Sequence, residues 1–191
     1  MVQSAGIPLL CAAILAQTAS PQKSPTTANP APRSGAPNVP CPPTGTGGAL
    51  NFANRGAQSG IDAKVFEPGG VTPLAGSNYL AQLYGAPCDR ESSFVAIDKP
   101  KPFRTGVAAG YVTATSVTLP HVGPRQPVYV QMRCWEASSP TYEHAEAHGA
   151  ALGKSAVIRV VTGGQTPGGF AVVPTDLIGL KSFSLIPAKP K

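Results

Sequence analysis

The stretch PVYVQMRCWE, residues 127–136, alternates strictly: Val128, Val130, Met132 and Cys134 fall on one side of an extended chain, and Tyr129, Gln131, Arg133 and Trp135 on the other. A period of two is the pattern of a strand with one face in a core. The same period recurs on both sides of this stretch. In IDAKVFE (61–67) Ile61, Ala63 and Val65 share one face while Asp62, Lys64 and Phe66 share the other, and in LKSFSLIP (180–187) Phe183 and Leu185 alternate with Ser182 and Ser184. SAVIRVVTGG (155–164) is β-branched on both faces and suits a central strand. Shorter strands are expected at LNFAN (50–54), NYLAQLYG (78–85), SFVAI (93–97) and SVTLP (116–120). A turn built from Pro68, Gly69, Gly70 and Pro73 joins the strand near residue 61 to the one near residue 79 as a hairpin.

Composition agrees with short strands joined by turns. The 191 residues include 21 Gly and 22 Pro, and good helix-forming runs are scarce. With 42% hydrophobic and 13% charged residues there is chain enough for one globular core plus tails, and two domains are not expected. About eight strands separated by turns, with no crossover helices between them, predict an all-β antiparallel β-sandwich spanning residues 49–187. The one helical candidate is TYEHAEAHGAALG (141–153), rich in Ala and Glu and ended by Gly149 or Gly153.

The formal net charge of +6 suggests a polyanionic partner only until it is located. Lys23, Arg33, Lys189 and Lys191 lie outside the expected domain, and between Leu50 and Pro187 eleven Lys and Arg face nine Asp and Glu without clustering. Neither a phosphate-tracking stripe nor an aromatic stacking platform for bases is present, so nucleic acid is not an expected partner. AGIPLLCAAILA (5–16) followed by QTASPQ reads as the apolar region of a secretory signal over residues 1–20. Twelve residues span about 18 Å as a helix, short of the roughly 30 Å of a bilayer's hydrocarbon, so no membrane span is expected. Residues 21–48 hold eight prolines among small polar residues, the composition of an extended tether, and 188–191 form a tail. The expected location is secreted, periplasmic or at the cell surface.

Removal of the leader leaves Cys41, Cys88 and Cys134, which allow one bridge and one free thiol. An exported compartment permits oxidation. Cys88 with Cys134 is the favoured pair. Cys41 with Cys88 would instead staple the tether to the domain, and Cys134 as a buried free thiol is the other reading.

Chemistry-bearing groups are few. His144 and His148 in HAEAH share a helix face and are weak candidates for metal ligands, but Glu146 points away and nothing in the sequence brings His121 near. No GxSxG elbow is present, and the Gly-rich runs at 45–48 and 163–169 lack the strand-to-helix context of a phosphate loop. No catalytic residue, resident metal or cofactor is therefore assigned. Tyr79, Tyr84, Tyr129 and Trp135 are the candidate binding residues, because flat rings stack on sugar C–H surfaces.

The segments VFEPGGVTPLAGSNYLAQLYGAP (65–87), FRTGVAAGY (103–111), VYVQMRCWE (128–136), TYEHAEAHGAALGKS (141–155) and GLKSFSLIP (179–187) together resemble an uncharacterised family of exported bacterial proteins of verrucomicrobial type, many ending in a PEP-CTERM sorting signal. The resemblance covers roughly residues 50–187 and implies an exported sandwich domain with no established activity. This chain departs from that pattern by ending on AKPK without a sorting helix, by Cys88 and Cys134, and by His144 and His148 in an Ala-rich segment. The expected fold is thus Ig-like or transthyretin-like, the hairpin by itself resembling the opening of transthyretin-like and carboxypeptidase-regulatory-like sandwiches. The expected function is a non-enzymatic interaction module whose partner is a cell-surface or matrix protein or a glycan. A carbohydrate-binding module is the alternative, and a metal-assisted hydrolase a distant one.

Overall fold

A computed structural model describes residues 41–190; the expected leader, and the expected tether up to residue 40, lie outside them. In chain order the strands are β1 (Gly48–Phe52), β2 (Arg55–Gly56), β3 (Ile61–Asp62), β4 (Val65–Phe66), β5 (Tyr79–Ala86), β6 (Val95–Pro102), β7 (Thr115–Leu119), β8 (Pro127–Glu136), β9 (Leu152–Lys154), β10 (Ile158–Val161), β11 (Gly163–Gln165), β12 (Ala171–Val172), β13 (Thr175–Asp176) and β14 (Phe183–Ser184). Helix α1 (Tyr142–His148) lies between β8 and β9. The chain is all-β in class and sandwich-like, with one short helix, as its periodicity predicts.

Two five-stranded sheets supply the inner faces. In one, β5 and β8 are the middle strands, β6 flanks β5, and β9 and β10 share the far edge of β8. In the other, β1 has β7 on one side, with β11 and β13 sharing the opposite side and β12 beyond β11. Leu50 and Phe52 of β1, Val117 and Leu119 of β7, Ala81 and Leu83 of β5, and Val128, Val130, Met132 and Cys134 of β8 meet in one buried cluster. Side chains two apart on a strand share a face, so each strand delivers its apolar set to that cluster and its alternate set outward. The alternation of Ile61, Ala63 and Val65 inward holds too.

Three expectations are corrected. The strand near residue 61 and β5 do not form a hairpin: the Pro-Gly turn folds β4 back only as far as Leu74, through Glu67 N–H to Thr72 O (2.8 Å) and Leu74 N–H to Val65 O (3.0 Å), and β5 then enters the other sheet. Gly69 and Gly70 make this turn with φ of 99° and 76°, a region that favours glycine. SAVIRVVTGG does not make a central strand. It crosses between sheets at the buried Thr162, leaving β10 as an edge that pairs with β8 alone and β11 beside β1; Val160 is buried, whereas Val157 and Val161 on the other face are exposed. Pairing is also not purely antiparallel: β13 lies parallel to β1 and β14 parallel to β4, because the C-terminal segment returns along the outside of both strands.

Much of the outward face of β5 and β8 is shielded from solvent. Helix α1 covers it, capped by the Thr141 hydroxyl accepting from His144 N–H (3.1 Å) and ended by Gly149 in the left-handed region. Tyr84, Ala86, Phe94, Trp135, Tyr142 and Ala145 form a second buried cluster beneath it.

Candidate functional site: a groove beside the Cys41–Cys88 bridge

The bridge itself is the first correction to the site. Cys88 pairs with Cys41, Cα atoms 5.9 Å apart, and Cys134 is a buried free thiol. Cys134 lies on the inner face of β8, opposite Ala81 and Gly153, so its sulfur belongs to the main core. Cys88 follows β5 at the molecule's periphery. Burial pushes the Cys134 thiol well above its ordinary pKa. The segment just before β1 is therefore tied to the sandwich, and Thr44 N–H donates to His121 O at 3.0 Å to hold it a second time.

This tie builds one wall of a groove of about 450 Å³. Cys41 and Pro43 stand on that side; Val95 and Ile97 of β6 and Leu119, Pro120, His121 and Val122 at the end of β7 form the rest, with Ala86 and Pro87 adjoining. The groove opens where the edges of the two sheets come side by side. Gly85 also lines it: a Cβ there would stand 2.9 Å from Ile97 Cδ1, so the missing side chain keeps the space clear. Among the described residues no carboxylate, amine or guanidinium lines the groove. An apolar recess with a few polar groups (Ser92, Ser93 and His121) is the composition of a binding site.

The candidate aromatic residues do not form a platform. Trp135 is fully buried, its indole Nε1–H donating to Ser139 O at 2.9 Å, and it meets the Tyr142 ring edge-on at 6.3 Å. Tyr84 is equally enclosed, and Arg133 lies over its ring at 4.3 Å and over Tyr142 at 5.0 Å. Tyr79 and Tyr129 are half-buried on opposite faces, Tyr79 against the main core and Tyr129 against the second. Flat rings exposed on a common surface are what a sugar needs, and these four are not so placed.

Arg133 was unmarked in the sequence but organises the outer face. Its Nε–H donates to Gln131 Oε1 (2.9 Å), and its two terminal nitrogens lie 3.7 Å from Glu91 and 3.5 Å from Glu143. Tyr84 OH donates to Glu143 (3.2 Å), and Lys154 bonds Glu91. The arrangement clasps α1 and the 91–93 turn to the sheet. Both carboxylates are spent on the clasp. His144 and His148 stack at 3.9 Å on the exposed side of α1, His148 Nδ1 lying 2.9 Å from His144 O. His121 lies in the groove instead, and among the described residues no group of three metal-capable side chains converges.

Fold and groove together define a disulfide-stapled β-sandwich with an apolar recess at its open side. No family model, curated protein or solved structure matches the chain. Among the described residues no helix is long and apolar enough to cross a membrane, and the bridge fits an oxidising compartment.

Proposed function

We propose that this chain is an exported, non-enzymatic interaction module that binds a partner at the cell surface or in the matrix through the groove beside the Cys41–Cys88 bridge. The observation that carries the reading is the groove itself: about 450 Å³, apolar, uncharged, and walled by a covalent staple that fixes its shape before a ligand arrives. The secretory character of residues 1–20 and a bridge that fits an oxidising compartment support the location. The sugar-binding alternative loses its principal residue with Trp135 inside the protein.

A screen of small apolar fragments by amide chemical shifts on the full chain tests the reading. Shifts centred on Val95, His121 and Val122 that vanish in Val95→Glu are expected. Fragments that perturb other surfaces, or none at all, overturn the groove as the binding site.

A further inference from the structure

The His144 and His148 rings stand on the side of α1 turned away from the sheet. Tyr142 and Ala145 give the helix its buried side, and the two histidines, four residues apart, are both exposed. That spacing sets one side chain a turn above the other, and here the rings stack face to face, centroids 3.9 Å apart and planes 14° from parallel. The backbone fixes one of the two. His148 Nδ1 lies 2.9 Å from His144 O. A carbonyl oxygen only accepts, so this nitrogen carries the proton, and in the neutral ring Nε2 is left as a bare lone pair. Histidines that ligate metals are held in this way, the second ring nitrogen donating to a carbonyl or carboxylate so that tautomer and ring direction are set beforehand. The frame beneath is held as well: Arg133 and the Tyr84 hydroxyl grip Glu143, Thr141 caps the first turn and Gly149 ends the last.

We propose that His144 and His148 form a two-histidine chelate on the exposed face of α1 for a divalent ion that prefers imidazole nitrogen, Cu²⁺ ahead of Ni²⁺ and Zn²⁺, with water in the remaining positions. His148 offers Nε2 as it stands. Neighbouring nitrogens each about 2 Å from a metal are roughly 3 Å from one another, closer than the present ring spacing. The His144 ring therefore tilts toward His148 and gives up the stack, which its exposed position allows.

The donors select the ion. Hard cations such as Ca²⁺ and Mg²⁺ are held by oxygen and by negative charge, and two imidazoles supply neither. The stem of Lys189, a cation, also lies over Gly149, next to His148 in the chain. Copper, nickel and zinc suit imidazole, and among these the affinity of a given nitrogen site is greatest for Cu²⁺. A chelate across one turn exists only while that turn is helical, so a bound ion should also hold α1 more firmly over the cluster around Trp135.

The test uses the untagged full chain and the metal salts alone, in a buffer that does not coordinate them. Substoichiometric Cu²⁺ should broaden the amide signals of Tyr142–Gly149, and Zn²⁺ should shift the same signals at higher concentration. His144→Gln and His148→Gln, both at exposed positions, should melt close to the parent chain without metal. Each should move the midpoint of the Tyr142–Gly149 response to at least about 10-fold higher metal, since losing a ligand costs no less than losing the outer partner of one. His121→Gln, in the groove, should leave that midpoint where it is. Signals of Tyr142–Gly149 untouched by Cu²⁺ overturn the site. Loss with one of the two variants alone means a single imidazole and overturns the chelate, as does an equal loss in His121→Gln. Ca²⁺ or Mg²⁺ acting at the same concentrations as Zn²⁺ overturns the class of ion named here.

Discussion

Asn54 follows β1 and is completely buried, and its single carboxamide joins three segments. Nδ2–H groups donate to Ala63 O (2.7 Å) and Gly110 O (2.8 Å), and Oδ1 accepts from Val112 N–H (2.9 Å). Asn54→Leu takes their side-chain partner from Ala63 O and Val112 N–H and one of two bonds from Gly110 O, which keeps Val65 N–H (3.1 Å), so urea unfolding should show a loss of about 3 kcal/mol. A loss under about 1 kcal/mol would mean that water replaces the amide. Nothing in the residues around Asn54 announces this role, because it depends on partners 9, 56 and 58 positions away. Cys134 was readable in part: its place on the apolar face of 127–136 was plain, its lack of a partner was not. Held in the core with its pKa raised, it should resist alkylation in the native protein and react at once in denaturant, as mass spectrometry would show. Rapid native alkylation would place it outside the core.

At the scale of elements, β8 is the strand the sequence describes most fully, its limits coinciding with PVYVQMRCWE. What the period of two does not reveal is what covers each face. The same pattern fits a strand wet on one side and one buried on both, and only the docking of α1 decides that Trp135 is interior. The helix was legible because Thr141 and Gly149 mark its ends locally; the sheet change at Thr162 was not, because it depends on two distant neighbours. Beneath α1 the Tyr84 and Tyr142 hydroxyls are held above the ordinary value near 10, chiefly by burial, then by Glu143 and Glu146 respectively, with Arg133 opposing; Tyr142 is pushed up to about 12. Below pH 10 both hydroxyls are protonated folded or unfolded, and stability is fully present. Above it the unfolded chain releases protons that the folded one keeps, so stability should fall progressively toward pH 12. Tyrosinate absorbance should rise together with loss of near-ultraviolet dichroism. Ionisation near pH 10 without unfolding would mean that the cluster is open to water.

For the whole molecule, class and extent were legible and connectivity was not. Alternation in strand after strand requires layered sheets, but which strands become neighbours depends on closures over tens of residues, as the parallel return of β13 and β14 shows. The cysteine pairing failed as an expectation for the same reason: spacing allowed each pairing, and only the fold sends Cys134 inward and Cys88 to the rim. The Cys41–Cys88 bridge closes a loop 47 residues long, so its reduction should lower stability by about 4 kcal/mol on the chain-entropy account and loosen the groove wall. Thermal melts with and without a dithiol, compared with Cys41→Ser, check this. An unchanged melting point would mean that the 41–47 segment is held without the bridge.

The bridge also decides where a pull is felt. Tension arriving along the chain at Cys41 passes through sulfur to Cys88, beside the end of β5, and bypasses β1 altogether. Everything from 41 to 88 is then shielded slack. Stretching single molecules should therefore give a full-length unfolding step that is shorter when oxidised, by roughly 170 Å at about 3.6 Å per extended residue. In an anchored protein under flow, such a strap would keep the first strand out of the line of load for as long as the bridge stands.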